Sequence, residues 1–192
     1  NDNSGWSVSL SSDGSRVAIG AIYNTGNGNQ SGHVRIYEYG NNSWTQLGAD
    51  IDGENDNDFS GSSVSLSSDG TRVAIGAYAN DGTSGNTNDV RGHVRVYSWN
   101  GSAWTKLGQD IDGEAAGDQS GNQVAISSDG SRVAIGSTYN GGNGNLDQDA
   151  SNGSNVAITL GSLFWASNDY IVLKISAHKD WTGYLTEITA SY

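Results

Sequence analysis

The chain repeats itself, and this repetition restricts the possible folds more than any other feature. The segment GWSVSLSSDGSRVAIGA at 5–21 returns as GSSVSLSSDGTRVAIGA at 61–77 and as GNQVAISSDGSRVAIGS at 121–137. The second half of the unit returns once, as GHVRIYEY at 32–39 and GHVRVYSW at 92–99. Because a single unit of this kind cannot bury its own apolar face, repeated units stack against their neighbours.

Each unit has the pattern of four short β-strands and no helical period. The strands of the first unit are predicted at 8–10, 16–20, 33–39 and 44–47. A tight turn at 12–14 joins the first two strands, because its Asp-Gly pair favours the positive φ values of hairpin turns. Four strands in a repeat of roughly 40–60 residues are typical of a β-propeller blade.

Small residues mark one face of the second strand in every unit. They are Ala18, Gly20, Ala74, Gly76, Ala134 and Gly136. A sheet with one face in water would carry polar residues there, so this pattern predicts sheets that are packed on both sides. Trp44 and Trp104 occupy equivalent positions and are predicted to lie in the blade core.

The fold prediction is all-β: a propeller-like array of about three four-stranded repeat units, followed by a divergent C-terminal β segment. The repeats fill residues 1–145, divided at about 1–57, 58–117 and a partial 118–145, and the divergent segment fills 146–192. Because the opening NDNSG matches the end of the linker NDNDFSG, we expect the chain to be part of a longer, secreted repeat protein.

The divergent segment contains three strand-like runs, rich in β-branched and aromatic residues. They lie at 155–160, 170–177 and 184–190. Two interpretations stay open. The segment is either a divergent fourth blade that caps the array, since terminal repeats are often atypical, or an assembly element that pairs with another chain through an open sheet edge.

Charge and composition exclude several classes of function. The net charge of −12 disfavours nucleic-acid binding, which requires clustered lysine and arginine. No apolar run approaches the roughly 20 residues of a membrane span. The sequence has no cysteine, which excludes disulfides, thiolate metal sites and a thiol nucleophile. No serine lies in a nucleophile elbow, and the aspartates fall in repeated turns and linkers, so we predict that the protein is not an enzyme.

The repeated pattern of SVSLSSDG-x-RVAIGA, GHVRVY, WT-x-LG and DIDGE resembles the FG-GAP repeat of integrin-alpha-type β-propellers and microbial surface proteins. The resemblance covers residues 1–145. It implies a non-catalytic module, extracellular or at the cell surface, that serves adhesion to a surface glycan or a protein ligand. The alternative is a structural, self-assembling subunit of a filament, sheath or phage fibre, whose partners are copies of the chain itself.

Acidic residues alternate along the linker that joins one unit to the next. This acidic linker comprises Asp50, Asp52, Glu54, Asp56 and Asp58 in its first copy, and Asp110, Asp112, Glu114 and Asp118 in its second. Calcium takes about six to eight oxygen ligands, and a loop so rich in carboxylates can supply several of them. The linker is therefore the candidate metal site, with calcium as the candidate cofactor. A solvated acidic loop is the alternative.

Histidines and aromatic rings are the other candidates for binding. His33 and His93 occupy equivalent positions, where they either pair with an aspartate inside the blade or form part of a surface for carbohydrates or anions. Four aromatic residues lie at strand starts or loop mouths, namely Trp6, Tyr23, Tyr78 and Tyr139. Such rings can stack on a sugar, since they offer an apolar face beside a polar edge.

Overall fold

The structure is a computed structural model that describes residues 2–82 and 88–139, together with the backbone of 171–176. These residues form β-strands, turns and loops, and no helix occurs among them. The all-β prediction is therefore confirmed. The strands form three sheets that follow one another in chain order, and each sheet contains the first hairpin of one predicted unit.

The first sheet consists of the four predicted strands and a short fifth strand. Strands β1 (Ser4–Leu10), β2 (Arg16–Ala21), β3 (His33–Gly40) and β4 (Ser43–Gln46) are antiparallel neighbours in that order. The fifth strand, β5 (Ile51–Asp52), pairs with β3. The acidic linker therefore begins inside the sheet and not in a free loop.

The second sheet repeats this arrangement. Strands β6 (Ser63–Leu66), β7 (Arg72–Ala77) and β8 (His93–Trp99) are antiparallel neighbours. Strand β8 also pairs with β9 (Trp104–Lys106) and with the short β10 (Ile111–Asp112), which lies in the second copy of the acidic linker. The two linkers thus have the same place in their sheets.

The third sheet differs from the others in its last strand. Strands β11 (Ser120–Ile126) and β12 (Arg132–Ser137) form an antiparallel pair like the first two strands of each unit. Strand β13 (Ile171–Ser176) pairs with β12 in the parallel direction, at the place that β3 and β8 hold elsewhere. The middle run of the divergent segment is thus a strand, and the other two runs lie outside the described residues.

The predicted Asp-Gly turn closes the first hairpin through its aspartate. Asp13 Oδ1 accepts hydrogen bonds from Ser11 Oγ at 2.7 Å and from the backbone N–H of Ser15 at 2.9 Å. These bonds favour the ionised carboxylate and lower the pKa of Asp13 to about 2. Gly14 then takes a positive φ of 70°. The same turn, with the same aspartate hydrogen bonds, recurs in the second and third units.

Each sheet packs against the next. We call the side of a sheet that contacts the following sheet its back face, and the side that contacts the preceding sheet its front face. The first core joins the back-face residues Ala18, Val34, Ile36 and Ile51 to the front-face residues Val64, Leu66, Val73 and Ile75. The second core joins Ala74, Val94 and Val96 to Val133 and Ile135. The second sheet is therefore packed on both sides, as its small residues predicted.

Three hydrogen bonds recur at both interfaces between sheets. At the first they join Leu66 N to Ser9 Oγ (3.0 Å), Arg16 Nη1 to the Gly70 carbonyl (3.2 Å) and Ser12 N to the Ser68 carbonyl (2.9 Å). At the second they join Ile126 N to Ser65 Oγ (3.1 Å), Arg72 Nη1 to the Gly130 carbonyl (2.9 Å) and Ser68 N to the Ser128 carbonyl (2.9 Å). The two interfaces therefore share a polar pattern as well as an apolar core.

The two equivalent tryptophans have different surroundings. Trp104 packs against the first core, and its Nε1 donates to the Leu47 carbonyl of the first unit at 2.8 Å. Trp44 is 46% exposed. The core prediction is therefore wrong for Trp44, because the described residues contain no preceding sheet that offers it an equivalent carbonyl.

The sheets approach one another most closely at two glycines. A Cβ atom at Gly20 would overlap the carbonyl oxygen of Gly61, and a Cβ atom at Gly76 would overlap that of Gly121. Neither Gly20 nor Gly76 has a positive φ, so the lack of a side chain is needed here for the approach of the next sheet and not for an unusual backbone conformation. The small residues of the second strand are therefore needed for the short distance between adjacent sheets.

Gly20→Ala should lower the free energy of unfolding by about 3 kcal/mol, because the added methyl group must push the second sheet away. Urea denaturation followed by tryptophan fluorescence measures the change. Gly40→Ala is the matched control, since a Cβ atom there meets no atom within 4 Å, and it should change stability by less than about 0.5 kcal/mol. Equal stability of the two variants would contradict this account of the sheet spacing.

Candidate functional site

The acidic linker begins with an aspartate that is held by an arginine of its own sheet. Arg35 donates to both carboxylate oxygens of Asp50, from Nε to Oδ1 at 3.0 Å and from Nη2 to Oδ2 at 2.8 Å. Gln46 Nε2 donates a further hydrogen bond to Asp50 Oδ1 at 2.7 Å. The bonds from Arg35 are the main reason that the pKa of Asp50 lies below its usual value. This carboxylate is therefore ionised, and both of its oxygens already accept hydrogen bonds.

A buried histidine lies beside Asp50 and Asp52. His33 Nδ1 is 3.4 Å from Asp50 Oδ2 and 4.0 Å from Asp52 Oδ1. Burial lowers the pKa of His33, which favours the neutral imidazole. The ligand atoms of these three side chains are close enough to hold one metal ion. Because His33 is only 2% exposed, the structure favours pairing with aspartate over a surface for carbohydrates.

The next two acidic side chains have other partners. Glu54 Oε1 lies 3.4 Å from Nη1 of Arg95, which belongs to the second sheet. Asp56 Oδ1 accepts a hydrogen bond from the backbone N–H of Asn29 at 2.9 Å. Glu54 therefore links two units, whereas Asp56 ties the linker to a loop of its own unit.

The last acidic residue in each copy is a buried turn residue. Asp58 and Asp118 are each 1% exposed. Asp58 Oδ2 accepts the backbone N–H groups of Glu54 and Asn55 at 3.0 and 2.9 Å. Asp118 Oδ2 accepts the two equivalent bonds at 3.1 and 2.9 Å, from Glu114 and the residue after it. Both carboxylates therefore satisfy the backbone of a turn that leads into the next sheet.

The second copy of the linker forms another group around a histidine. Asp110 accepts a hydrogen bond from Lys106 Nζ at 2.9 Å, and Asp112 Oδ1 lies 4.0 Å from His93 Nδ1. The ligand atoms of Glu54, His93 and Asp110 are close enough to hold one metal ion. The structure thus divides the nine predicted acidic ligands among several places, and calcium binding by the linker stays a prediction.

A separate open cleft of about 490 Å³ lies where the first strands of the three sheets begin. Its lining residues are Trp6, Ser62, Tyr78, Gln119, Asn122, Gln123, Thr138 and Tyr139. Trp6, Ser62 and Asn122 follow the repeated Gly-start of each unit and hold the same position in it. Stacking of the sheets therefore brings together side chains that are far apart in the sequence.

The cleft combines exposed aromatic rings with neutral polar groups. Trp6 is 56% exposed and Tyr139 is 66% exposed, so both rings offer a face to a ligand. Tyr78 is stacked on Phe59 with ring centroids 5.5 Å apart, which holds its ring in place. Burial raises the pKa of Tyr78, so its hydroxyl stays neutral. None of the eight lining residues carries a formal charge at neutral pH.

The sequence analysis identified the aromatic residues of this cleft but missed its amides. Gln119, Asn122 and Gln123 stand in the third unit where the second unit has a phenylalanine and two serines. That exchange was the available signal, because three amides replace a phenylalanine and two serines. Only the stacked arrangement shows that these amides line the same cleft as Trp6.

The family comparison agrees with the repeat that the structure shows. Residues 1–37 match the family model of the FG-GAP repeat. The predicted resemblance is therefore confirmed for the segment that contains β1, β2 and the start of β3. The second and third units repeat much of this segment. None of the curated proteins compared with the chain matches it.

Within residues 2–82, 88–139 and 171–176, no helix has the length and apolar character needed to cross a membrane. The repeat units present two features as candidates for function: the acidic groups around His33 and His93, and the neutral cleft.

The buried His93 should make stability depend on pH. Burial, followed by the charge of Arg95, lowers the pKa of His93 from 6.5 to about 4. Between these values the unfolded chain binds a proton that the folded chain does not, so stability is lost as the pH falls through this window. We expect a loss on the order of 3 kcal/mol from this residue between about pH 6.5 and pH 4.

His93→Gln should remove this part of the pH dependence, because glutamine does not titrate. Urea denaturation of both proteins between pH 7 and pH 4 measures the two slopes. The remaining slope in the variant reports the other groups that titrate in this range. The same slope in both proteins would show that His93 is protonated in the folded state.

Proposed function

We propose that the protein is a non-catalytic, extracellular or cell-surface module of FG-GAP type that serves adhesion by binding a glycan. The observation that carries this proposal is the neutral, aromatic cleft where the first strands of the three sheets begin. Its residues come from all three units, so a ligand there would contact the array as a whole. The match of the first unit to the FG-GAP repeat supports a binding module and not a catalytic one.

The chemistry of the cleft favours a neutral sugar as the ligand. The faces of Trp6 and Tyr139 can stack on the apolar face of a pyranose ring. The amides of Gln119, Asn122 and Gln123 each provide donors and an acceptor, which suits paired hydroxyl groups. With a net charge of −12, the protein would repel a polyanionic glycan. A neutral oligosaccharide therefore fits the cleft better than an acidic one.

Trp6→Ala should weaken the binding of a neutral oligosaccharide by at least about tenfold, because it removes a stacking face from the cleft. Isothermal titration calorimetry with a panel of neutral oligosaccharides identifies a ligand and measures its affinity for the protein and for each variant. Trp44→Ala is the matched control, since Trp44 is also exposed but lies on β4, outside the cleft. Failure of the whole panel to bind, or equal affinity of both variants, would contradict the proposal.

Calcium at the acidic linker is a second, separate proposal. Asp50 and Asp52 line a smaller cleft of about 220 Å³ between the first two sheets, and carboxylate oxygens are ligands that calcium prefers. Calcium that binds only the folded state stabilises it by about 2.7 kcal/mol when the free calcium concentration is a hundred times the dissociation constant. We therefore expect calcium to raise the unfolding temperature relative to a chelator.

Asp52→Asn should abolish this rise, whereas Asp56→Asn should keep it, because Asp56 bonds to Asn29 and does not line the smaller cleft. Thermal unfolding with added calcium and with a chelator makes the comparison. The same unfolding temperature in both conditions would show that the linker binds no calcium.

A further inference from the structure

A β-bulge interrupts the first strand of the first and third units at the edge of the neutral cleft. In β1 the pairing with β2 skips two residues, Gly5 and Trp6. In β11 the pairing with β12 skips the two equivalent residues, Gly121 and Asn122. A bulge leaves its extra residues unpaired and can turn a side chain in a new direction, which makes it a common feature beside functional sites.

The second unit has the same bulge but a smaller residue in it. The backbone N–H groups of Gly61 and Ser62 both donate to the Gly76 carbonyl, at 3.0 and 3.2 Å. The Ser62 hydroxyl donates to the same carbonyl at 3.0 Å, and the residue is only 8% exposed. Ser62 therefore forms part of the cleft wall, whereas the bulges of the first and third units present larger side chains.

A short turn fixes the residue that follows the glycine in every unit. The N–H of this residue donates to the carbonyl three residues earlier, at 3.1 Å from Trp6 to Asn3, 3.1 Å from Ser62 to Phe59 and 3.3 Å from Asn122 to Gln119. The glycine is the third residue of this turn, and its φ is 92°, 86° and 86° in the three units. A type II turn requires a positive φ at this position, which glycine adopts without steric cost.

The bulge takes Trp6 out of the alternation of its strand. Ser7 faces the second unit, because its hydroxyl donates to the Gly61 carbonyl at 2.7 Å. Strict alternation would place the preceding side chain on the opposite face of the sheet, with Val8. Trp6 instead lines the cleft together with residues of the second and third units. The conformation at Gly5 therefore decides where the indole ring lies.

Gly5 is also the bulge glycine at which conformation can be separated from packing. A Cβ atom at Gly61 would overlap the His33 carbonyl oxygen, and one at Gly121 would overlap the His93 carbonyl oxygen. A Cβ atom at Gly5 meets no atom of the described residues within 4 Å. A side chain at Gly5 therefore disturbs the turn and leaves the contact between the sheets intact.

We propose that Gly5 is a positioning residue that holds Trp6 in the cleft, and that Asn122, held by the equivalent bulge, is the specificity-determining residue. This inference rests on the proposed function, because it assigns roles within the same ligand site. The face of Trp6 can stack on many neutral sugars. The Asn122 amide offers two donors and one acceptor in a fixed direction, so it distinguishes sugars by the arrangement of their hydroxyl groups.

The first test needs no ligand. Gly5→Val should move the indole out of the cleft, because a β-branched residue strongly disfavours a positive φ, and Gly5→Ala should do so to a smaller extent. Gly5→Asn is the matched control, since asparagine is similar in size to valine but tolerates a positive φ. The NMR resonance of the Trp6 indole N–H, assigned by its loss in Trp6→Phe, reports the position of the ring.

We expect this resonance to shift in Gly5→Val and to stay near its original position in Gly5→Asn. The side-chain amide resonances of Asn122 should shift with it, because the two residues line one cleft although they belong to different units. Urea denaturation checks that each variant is folded. The proposed role of Gly5 is overturned if Gly5→Val leaves both sets of resonances in place, or if Gly5→Asn shifts them as far.

The second test measures affinities for the panel of neutral oligosaccharides. Gly5→Val should weaken binding by at least about tenfold, as expected for Trp6→Ala, whereas Gly5→Asn should stay within about threefold of the original affinity. Asn122→Ala should change the ratio of the affinities for two oligosaccharides that differ in one hydroxyl group by about tenfold. Trp6→Ala should lower both affinities by a similar factor and keep that ratio.

The outcomes separate this inference from the proposed function. An unchanged ratio in Asn122→Ala overturns its role in specificity, and full affinity in Gly5→Val overturns the role of Gly5 in binding. If no oligosaccharide of the panel binds, the proposed function and the role of Asn122 both fail. The NMR comparison of Gly5→Val with Gly5→Asn then still decides whether Gly5 positions Trp6.

Discussion

Close contact between the backbones of adjacent sheets is the constraint on which the rest of the structure depends. Gly20 and Gly76 leave room for the carbonyl oxygens of the following sheet. At that spacing the apolar residues of two faces form one core, and the arginine of each second strand reaches the turn of the next unit. The cleft and the group of Glu54, His93 and Asp110 both span units, so their geometry depends on the same spacing.

Local patterns predicted the elements of each unit because the causes of those elements are local. Alternating apolar residues and the Asp-Gly turn are enough to place the hairpin of β1 and β2. The exposure of Trp44 was not predictable in this way, because burial of its equivalent depends on a carbonyl of a different unit. The strand β5 was missed for a similar reason, since its two residues become a strand only by pairing with β3.

The carboxylates of the acidic linker lie farther from one another than their alternating pattern predicted. Its alternating carboxylates were predicted as one group of oxygen ligands. In an extended segment alternate residues share a side, but the linker runs from a strand into a turn, and its side chains separate. Asp50 meets an arginine, Asp58 meets backbone amides, and Glu54 crosses to the second sheet. The acidic side chains therefore hold the linker in place, and Glu54 also bridges two units.

The neutral cleft uses positions that the stacking of the sheets does not need. Trp6, Ser62 and Asn122 are equivalent in the repeat, yet they differ completely in size and polarity while the same hydrogen bonds hold the sheets together. The residues that we propose for ligand binding are thus separate from the residues that hold the sheets together. A library that randomises these three positions would vary the chemistry of the cleft over a constant scaffold, which makes the array a starting point for engineered binders.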